Sequence, residues 1–275
     1  MNGDASTSPG TIVLIHGLWM TPLSWEHWVE RFRARGFEVL APAWPGLDGE
    51  VQQIRDDPST MESLGIEEII EHYAVIVREL DSPPIIMGHS FGGAFTEVLL
   101  DRGLGAAGVA IDAAAVRGVA RLSYSTLRST FPVLKNPVNE RRAVGLTFAE
   151  FRYAFANTMS RAEARAAFDR YAVPGPGRVL FQGAFANFNL HAATKVDFHN
   201  DKRAPLLLIA GGADHVVPPS VDRATARRFS HSQAITEYRE FPGRCHFTVG
   251  QEGWEQVADC ALDWALEHAR MPAMA

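Results

Sequence analysis

The chain has 275 residues, 47% of them apolar, with 26 basic against 32 acidic side chains and a formal charge of −6. At this size roughly 75% of the unfolded surface is buried on folding, enough for one large core without disulfide staples. The acidic balance gives no general attraction to nucleic acid or to anionic membrane, both of which favour basic surfaces, so neither is expected as a partner.

Two cysteines, Cys245 and Cys260, are too few for a disulfide scaffold, and neither sits beside a second ligand at zinc spacing. Met1 to Gly10 is polar and lacks the basic start and apolar stretch of a signal peptide. No uncharged apolar run reaches the roughly 20 residues that span a bilayer, and a cytoplasmic location is expected.

Short runs of Val, Ile and Leu alternate with amphipathic stretches, the rhythm of a mostly parallel α/β sheet with helices on both faces. In chain order, strands are predicted over Thr11–His16 and Phe37–Pro42, with a helix over Ser24–Arg35 that Gly36 stops. A helix over Ile66–Leu80 follows, then a strand over Pro84–Gly88 running straight into a helix over Phe91–Arg102. Further strands are predicted over Ala107–Ile111, Pro205–Ala210 and Ile235–Glu240, with a last helix over Gly253–Ala269.

Residues 118–198 break this rhythm. The stretch is helical in pattern, punctuated by Pro132, Pro137 and the run Pro174-Gly175-Pro176-Gly177, and reads as a helical cap inserted into a core formed by residues 1–117 and 199–275. It holds 12 of the 27 aromatic residues and 11 basic against 5 acidic side chains, leaving 15 basic against 27 acidic in the rest of the chain. A cap needs a core of its own, which accounts for some of these rings. Phe151, Phe155, Phe185 and Phe188 are expected to add a pocket wall, together with Trp19.

Gly88-His89-Ser90-Phe91-Gly92 fits G-x-S-x-G, and its context matters more than its letters. The motif closes the apolar strand and opens a helix, a setting that forces a serine onto a sharp turn with its hydroxyl above the sheet. A serine hydroxyl is a poor nucleophile until a base takes its proton, and the base needs an acid to orient it. Asp214, in Gly211-Gly212-Ala213-Asp214, and His246, in Gly243-Arg244-Cys245-His246, each lie just beyond the carboxyl end of a strand, the edge where open α/β sheets bind ligands. Asp112, after the fourth strand, is the rival acid. The Phe91 amide, at a helix N-terminus, has no intrahelical partner and can hold an oxyanion. The second donor is expected from Ile15-His16-Gly17-Leu18-Trp19, at the Leu18 amide with Trp19 as fallback. No cofactor is implied, and no histidine pair with a carboxylate shows a metal signature.

With the His16-Gly17 pair, the serine turn and the order Ser, Asp, His, the chain resembles the α/β-hydrolase fold superfamily over most of Thr11 to Ala269. The resemblance implies a second oxyanion donor at Leu18, the acid at Asp214 and the histidine at His246. It also implies a shortened, six-stranded sheet, since residues 1–10 leave no room for the two strands with which the usual fold begins.

Ser90 sets the chain apart from relatives that need a carboxylate or thiol nucleophile. The function expected is cofactor-independent hydrolysis of a small carboxylic ester or lactone through an acyl-enzyme. Carbon–carbon bond hydrolases, thioesterases and cofactor-free haloperoxidases keep the same triad, and a hydrolase-fold ligand sensor is the rival from another class. Nothing in the sequence specifies an oligomeric state.

Overall fold

The first strand, β1 (Thr11–Ile15), is an unbroken apolar run with every residue buried, as a central parallel strand covered on both faces requires. The computed structural model describes residues 10–269, so the polar start through Pro9 and the last six residues lie outside the described residues. From β1 the chain passes through a 3-10 turn and α1 (Glu26–Ala34) to the short strand β2 (Glu38–Leu40). Then come α2 (Val51–Asp56), α3 (Ile66–Arg78), β3 (Ile85–His89), α4 (Phe91–Asp101) and β4 (Ala107–Ile111). After the insertion, β7 (Leu206–Gly211), α9 (Pro219–Phe229), β8 (Thr236–Phe241) and α10 (Trp254–His268) complete the core.

The main sheet has six strands in the order β2-β1-β3-β4-β7-β8, all paired in parallel. The order turns back at β1 and β3, which opens a crevice at their carboxyl ends where two successive connections leave in opposite directions. That crevice receives the turns carrying Gly17 and Ser90. Strand β8 lies at the edge and is largely half-exposed, which explains its alternation of apolar and charged residues.

The predicted six strands are all present, with ends displaced by a few residues at most. The sequence assigns no range to α2 or to α9, whose periodicity is interrupted by charge. Within residues 118–198 the chain forms α5 (Tyr124–Leu134), α6 (Phe148–Ala154), α7 (Arg161–Tyr171) and α8 (Gly177–Ala184). Capping boxes start two of them, Thr147 with Glu150 and Ser160 with Glu163.

Two of the expected breaks turn out differently. Pro132 lies inside the last turn of α5, and the Gly-Pro pair at 175–176 forms a strand, β6, that pairs antiparallel with β5 (Ala143–Val144). Residues 118–198 are tied to the rest of the chain through ion pairs and arginine hydrogen bonds. Arg170 pairs with Glu26, Arg178 reaches Glu68 at 2.9 Å, and Arg55 donates to the carbonyls of Ala172 and Phe168, both at 2.8 Å.

Candidate active site

Ser90 occupies the turn between β3 and α4 with φ 58° and ψ −119°, a left-handed conformation that a side chain rarely adopts. The turn holds this shape because its neighbours are packed at backbone distance. A Cβ at Gly92 would lie 2.1 Å from the Ile15 carbonyl oxygen, and one at Gly17 would lie 2.8 Å from Cβ of Ser90. Only glycine lets β1, its loop and α4 close in this way. The Ser90 amide donates to the Ile111 carbonyl at 2.9 Å, so β4 braces the turn from the other side.

Asp214 and His246 meet Ser90 here. His246 Nε2 lies 3.0 Å from Ser90 Oγ, and His246 Nδ1 lies 2.5 Å from Asp214 Oδ2. Asp214 Oδ1 accepts the amides of Val216 at 2.6 Å and Val217 at 2.9 Å. The two loops are stitched together, with the Gly212 amide donating to the Phe241 carbonyl and the Ala213 amide to that of Arg244, both at 2.9 Å. All three side chains are buried. Burial pushes the His246 imidazole well below its ordinary range, which favours the neutral ring. It pushes the Asp214 carboxyl up, while the Val217 and Val216 amides pull it down.

His16 and His89 hold the surrounding backbone. His16 Nε2 accepts the Trp44 amide at 3.2 Å, so its proton is on Nδ1 and is donated to the Gly17 carbonyl at 3.0 Å. Burial lowers the His16 pKa to about 4, which preserves that tautomer. His89 Nε2 lies 2.7 Å from the carbonyl of His246, and its ring packs 4.8 Å from the His246 ring. The sequence does not reveal the partner of His89, because nothing in the local pattern connects residues 157 positions apart.

The amides of Phe91 and Leu18 have no acceptor among the described residues. The Leu18 amide follows the glycine that touches Ser90, and Trp19 turns the loop with φ 66°. Trp19 is anchored from both ends to the insertion, its Nε1 donating to the Val144 carbonyl at 2.9 Å and its own carbonyl accepting the Val173 amide at 3.0 Å.

The insertion reaches the site through Phe155. Its ring stands edge-on to His246 with centroids 4.8 Å apart and edge-on to Trp19 at 5.9 Å. Phe151 stacks behind it at 5.1 Å, and the Phe155 carbonyl accepts the Phe247 amide at 2.9 Å. Phe185 and Phe188, expected in the same wall, are not there. They are 55% and 86% exposed and follow the end of α8, where the chain turns outward. Aromatic content cannot separate rings that face a site from rings that face solvent.

Asp112, the rival acid, is fully buried with φ 46°. Its Oδ1 accepts the Gly211 amide at 2.5 Å, and its Oδ2 has no hydrogen-bond partner among the described residues. Burial pushes its carboxyl well up, and the nearby Asp214 adds to that rise. Asp112 also completes a group that spacing did not show, since one ligand atom each of His89, Asp112 and His246 lie within 4.8 Å of one another. Those three could approach an ion. Both ring nitrogens of His246 already have partners in Ser90 and Asp214.

A buried serine at a strained strand-to-helix turn, linked through a buried histidine to a buried carboxylate at the carboxyl edge of a parallel sheet, is an arrangement that fits a hydrolase of the α/β class. The sequence pattern of the alpha/beta hydrolase family matches residues 12–259, and the chain belongs to that family. A search of the curated proteins found no match.

Similar solved structures include a monoacylglycerol lipase from Paleococcus ferrophilus, 20% identical over 95% of this chain and 96% of that one, with a TM-score of 0.64. An extracellular alpha/beta-hydrolase from a Paenibacillus species is 20% identical over 96% and 100%, with a TM-score of 0.66. A thermophilic esterase from Thermogutta terrifontis is 17% identical over 96% and 92%, with a TM-score of 0.65. At these identities the likeness is one of fold.

Proposed function

We propose that the chain hydrolyses small carboxylic esters through an acyl-enzyme on Ser90, with His246 as general base and Asp214 as the acid that orients it. The observation that carries this reading is the unbroken chain of contacts from Ser90 Oγ to His246 at 3.0 Å and on to Asp214 at 2.5 Å. Asp214 accepts a hydrogen bond from the Nδ1–H of His246, which keeps the proton on Nδ1, so Nε2 presents its lone pair to the serine hydroxyl. Ser90 attacks the ester carbonyl carbon as Nε2 takes the hydroxyl proton. The amides of Phe91 and Leu18 receive the negative charge that collects on the carbonyl oxygen. His246 then returns the proton to the departing alkoxide. Water, deprotonated by the same nitrogen, attacks the acyl carbon, and the carboxylic acid leaves with Ser90 restored.

The 118–198 segment acts in this reading as a cap. Phe155 keeps water from the imidazole, and a dry site strengthens each of these interactions. A lactone is opened by the same steps, with the alcohol retained on the product, so ester and lactone belong in one assay panel. A fluorophosphonate should label Ser90 alone, and Ser90→Ala should lower ester turnover by about 10³-fold or more. Labelling of another serine, or an active alanine variant, would refute the assignment.

A further inference from the structure

The negative charge of the whole chain conceals a basic face. Residues 118–142 carry Arg121, Arg128, Lys135, Arg141 and Arg142 against the single acid Glu140. All five cations are exposed, and none has an acidic partner among the described residues. The insertion's contacts with the acidic core are made by other cations, Arg170 and Arg178.

The same region is apolar on the outside. Of the ten large apolar side chains that stand exposed among the described residues, eight fall between residues 122 and 190. On α5, Tyr124, Leu127 and Phe131 recur at helical spacing on the outer face, while Ser129, Thr130 and Val133 are buried. Helix α5 packs on α8, and Asn187 ties the turn before α5 to the turn after α8, accepting the Gly118 amide at 2.7 Å and donating to the Val119 carbonyl at 3.1 Å. These links join the chain just before Leu122 and Tyr124 to the turn that carries Phe188 and leads to Leu190, all four of them exposed. Helix α8, on which α5 packs, rests on the Phe91 ring at Gly183, where a Cβ would come within 2.7 Å of it.

We infer that this face seats the protein on an anionic lipid surface, with Leu122, Phe131 and their neighbours in the apolar layer and Arg121 and Lys135 among the headgroups. Large apolar side chains interleaved with cations that have no acidic partner are what such a surface recognises, since it removes the first from water and neutralises the second. A second copy docked face to face across a twofold axis would instead bring two basic stretches together. The acidic balance that argues against a membrane partner is an average over two regions of opposite sign. The inference stands on the surface of the insertion and does not require the chemistry at Ser90.

The test is flotation of the full chain with phosphatidylcholine vesicles containing about 30 mol% phosphatidylglycerol, compared with phosphatidylcholine alone. The protein should float with the anionic vesicles and not with the neutral ones, and added salt should weaken the binding. The double variants Leu122→Ser/Phe131→Ser and Arg121→Gln/Lys135→Gln should each bind at least about tenfold more weakly. Both should turn over a short soluble ester within about twofold of the parent, which shows that fold and site are intact. Failure of the parent to float with anionic vesicles at low salt, or variants that bind as the parent does, would overturn the inference. So would a parent dimer that Leu122→Ser/Phe131→Ser converts to monomer, because the face would then belong to a second copy. A chain that floats but turns over no ester sinks the acyl-enzyme reading and leaves this one standing.

Discussion

Exchanging Asp214 for Asn replaces one carboxyl oxygen with an NH2 group at almost no change in volume, and the structure specifies which way the new amide must face. Oδ1 of Asp214 accepts two backbone amides, from Val216 and Val217. An NH2 group placed there would oppose two donors, so in Asp214→Asn the amide oxygen stays at that position and the NH2 points at His246 Nδ1. The imidazole must then accept at Nδ1 and carry its proton on Nε2, the atom 3.0 Å from Ser90 Oγ. A base already protonated toward the serine cannot take the serine's proton. Loss of the correct tautomer in a triad costs about 10⁴-fold in turnover, about 5.4 kcal/mol of transition-state stabilisation at 1.36 kcal/mol per factor of ten.

The assay is kcat/KM for a soluble aryl ester, read beside thermal unfolding to show that the fold persists. Asp112→Asn is the control, since its Oδ1 serves the Gly211 amide and can still accept it as an amide oxygen; its activity should stay within about tenfold of the parent. Asp214→Asn retaining more than about a tenth of the parent activity, or the larger loss falling on Asp112→Asn, would refute the reasoning.

Because burial holds His246 below the ordinary imidazole value near 6.5, the neutral base should persist as pH falls through 6.5. The acid limb of kcat/KM should therefore have its midpoint below that value, measured where circular dichroism shows an intact fold, and a midpoint at or above 6.5 would contradict the assigned environment. Gly92→Ala should push α4 away from β1, since its Cβ would fall 2.1 Å from the Ile15 oxygen; the expected result is a loss of stability of about 3 kcal/mol or more in denaturant unfolding. Phe155→Ala should destabilise the fold by about 3–5 kcal/mol and alter the ranking of acyl lengths in an ester panel, while Phe188→Ala, on an exposed ring, should change neither.

The strands, the serine turn and the positions of the acid and histidine loops are legible in the sequence because each is a local signal. An apolar run such as Ile85-Ile86-Met87 must be buried on both faces. A serine between Gly88 and Gly92 at the end of that run has few backbone conformations open to it, and a polar residue just past a buried strand emerges at the sheet's carboxyl edge.

What local signals cannot express is which distant groups share a lattice of contacts. Asp112 and Asp214 both follow buried strands, and only the register of β4 and β7 with the loops above them places one carboxyl 2.5 Å from His246 and leaves an oxygen of the other without a hydrogen-bond partner among the described residues. The brace from His89 to the His246 carbonyl arises in the same way, from strands folded against each other. In the insertion, all four phenylalanines look alike in sequence, but α6 turns Phe155 toward the imidazole and the end of α8 turns Phe185 and Phe188 to solvent. Periodicity tells which face of an element is apolar. Which surface that face meets is decided by packing between elements far apart in the chain, and it was there that the tertiary structure chose the neighbours of Ser90.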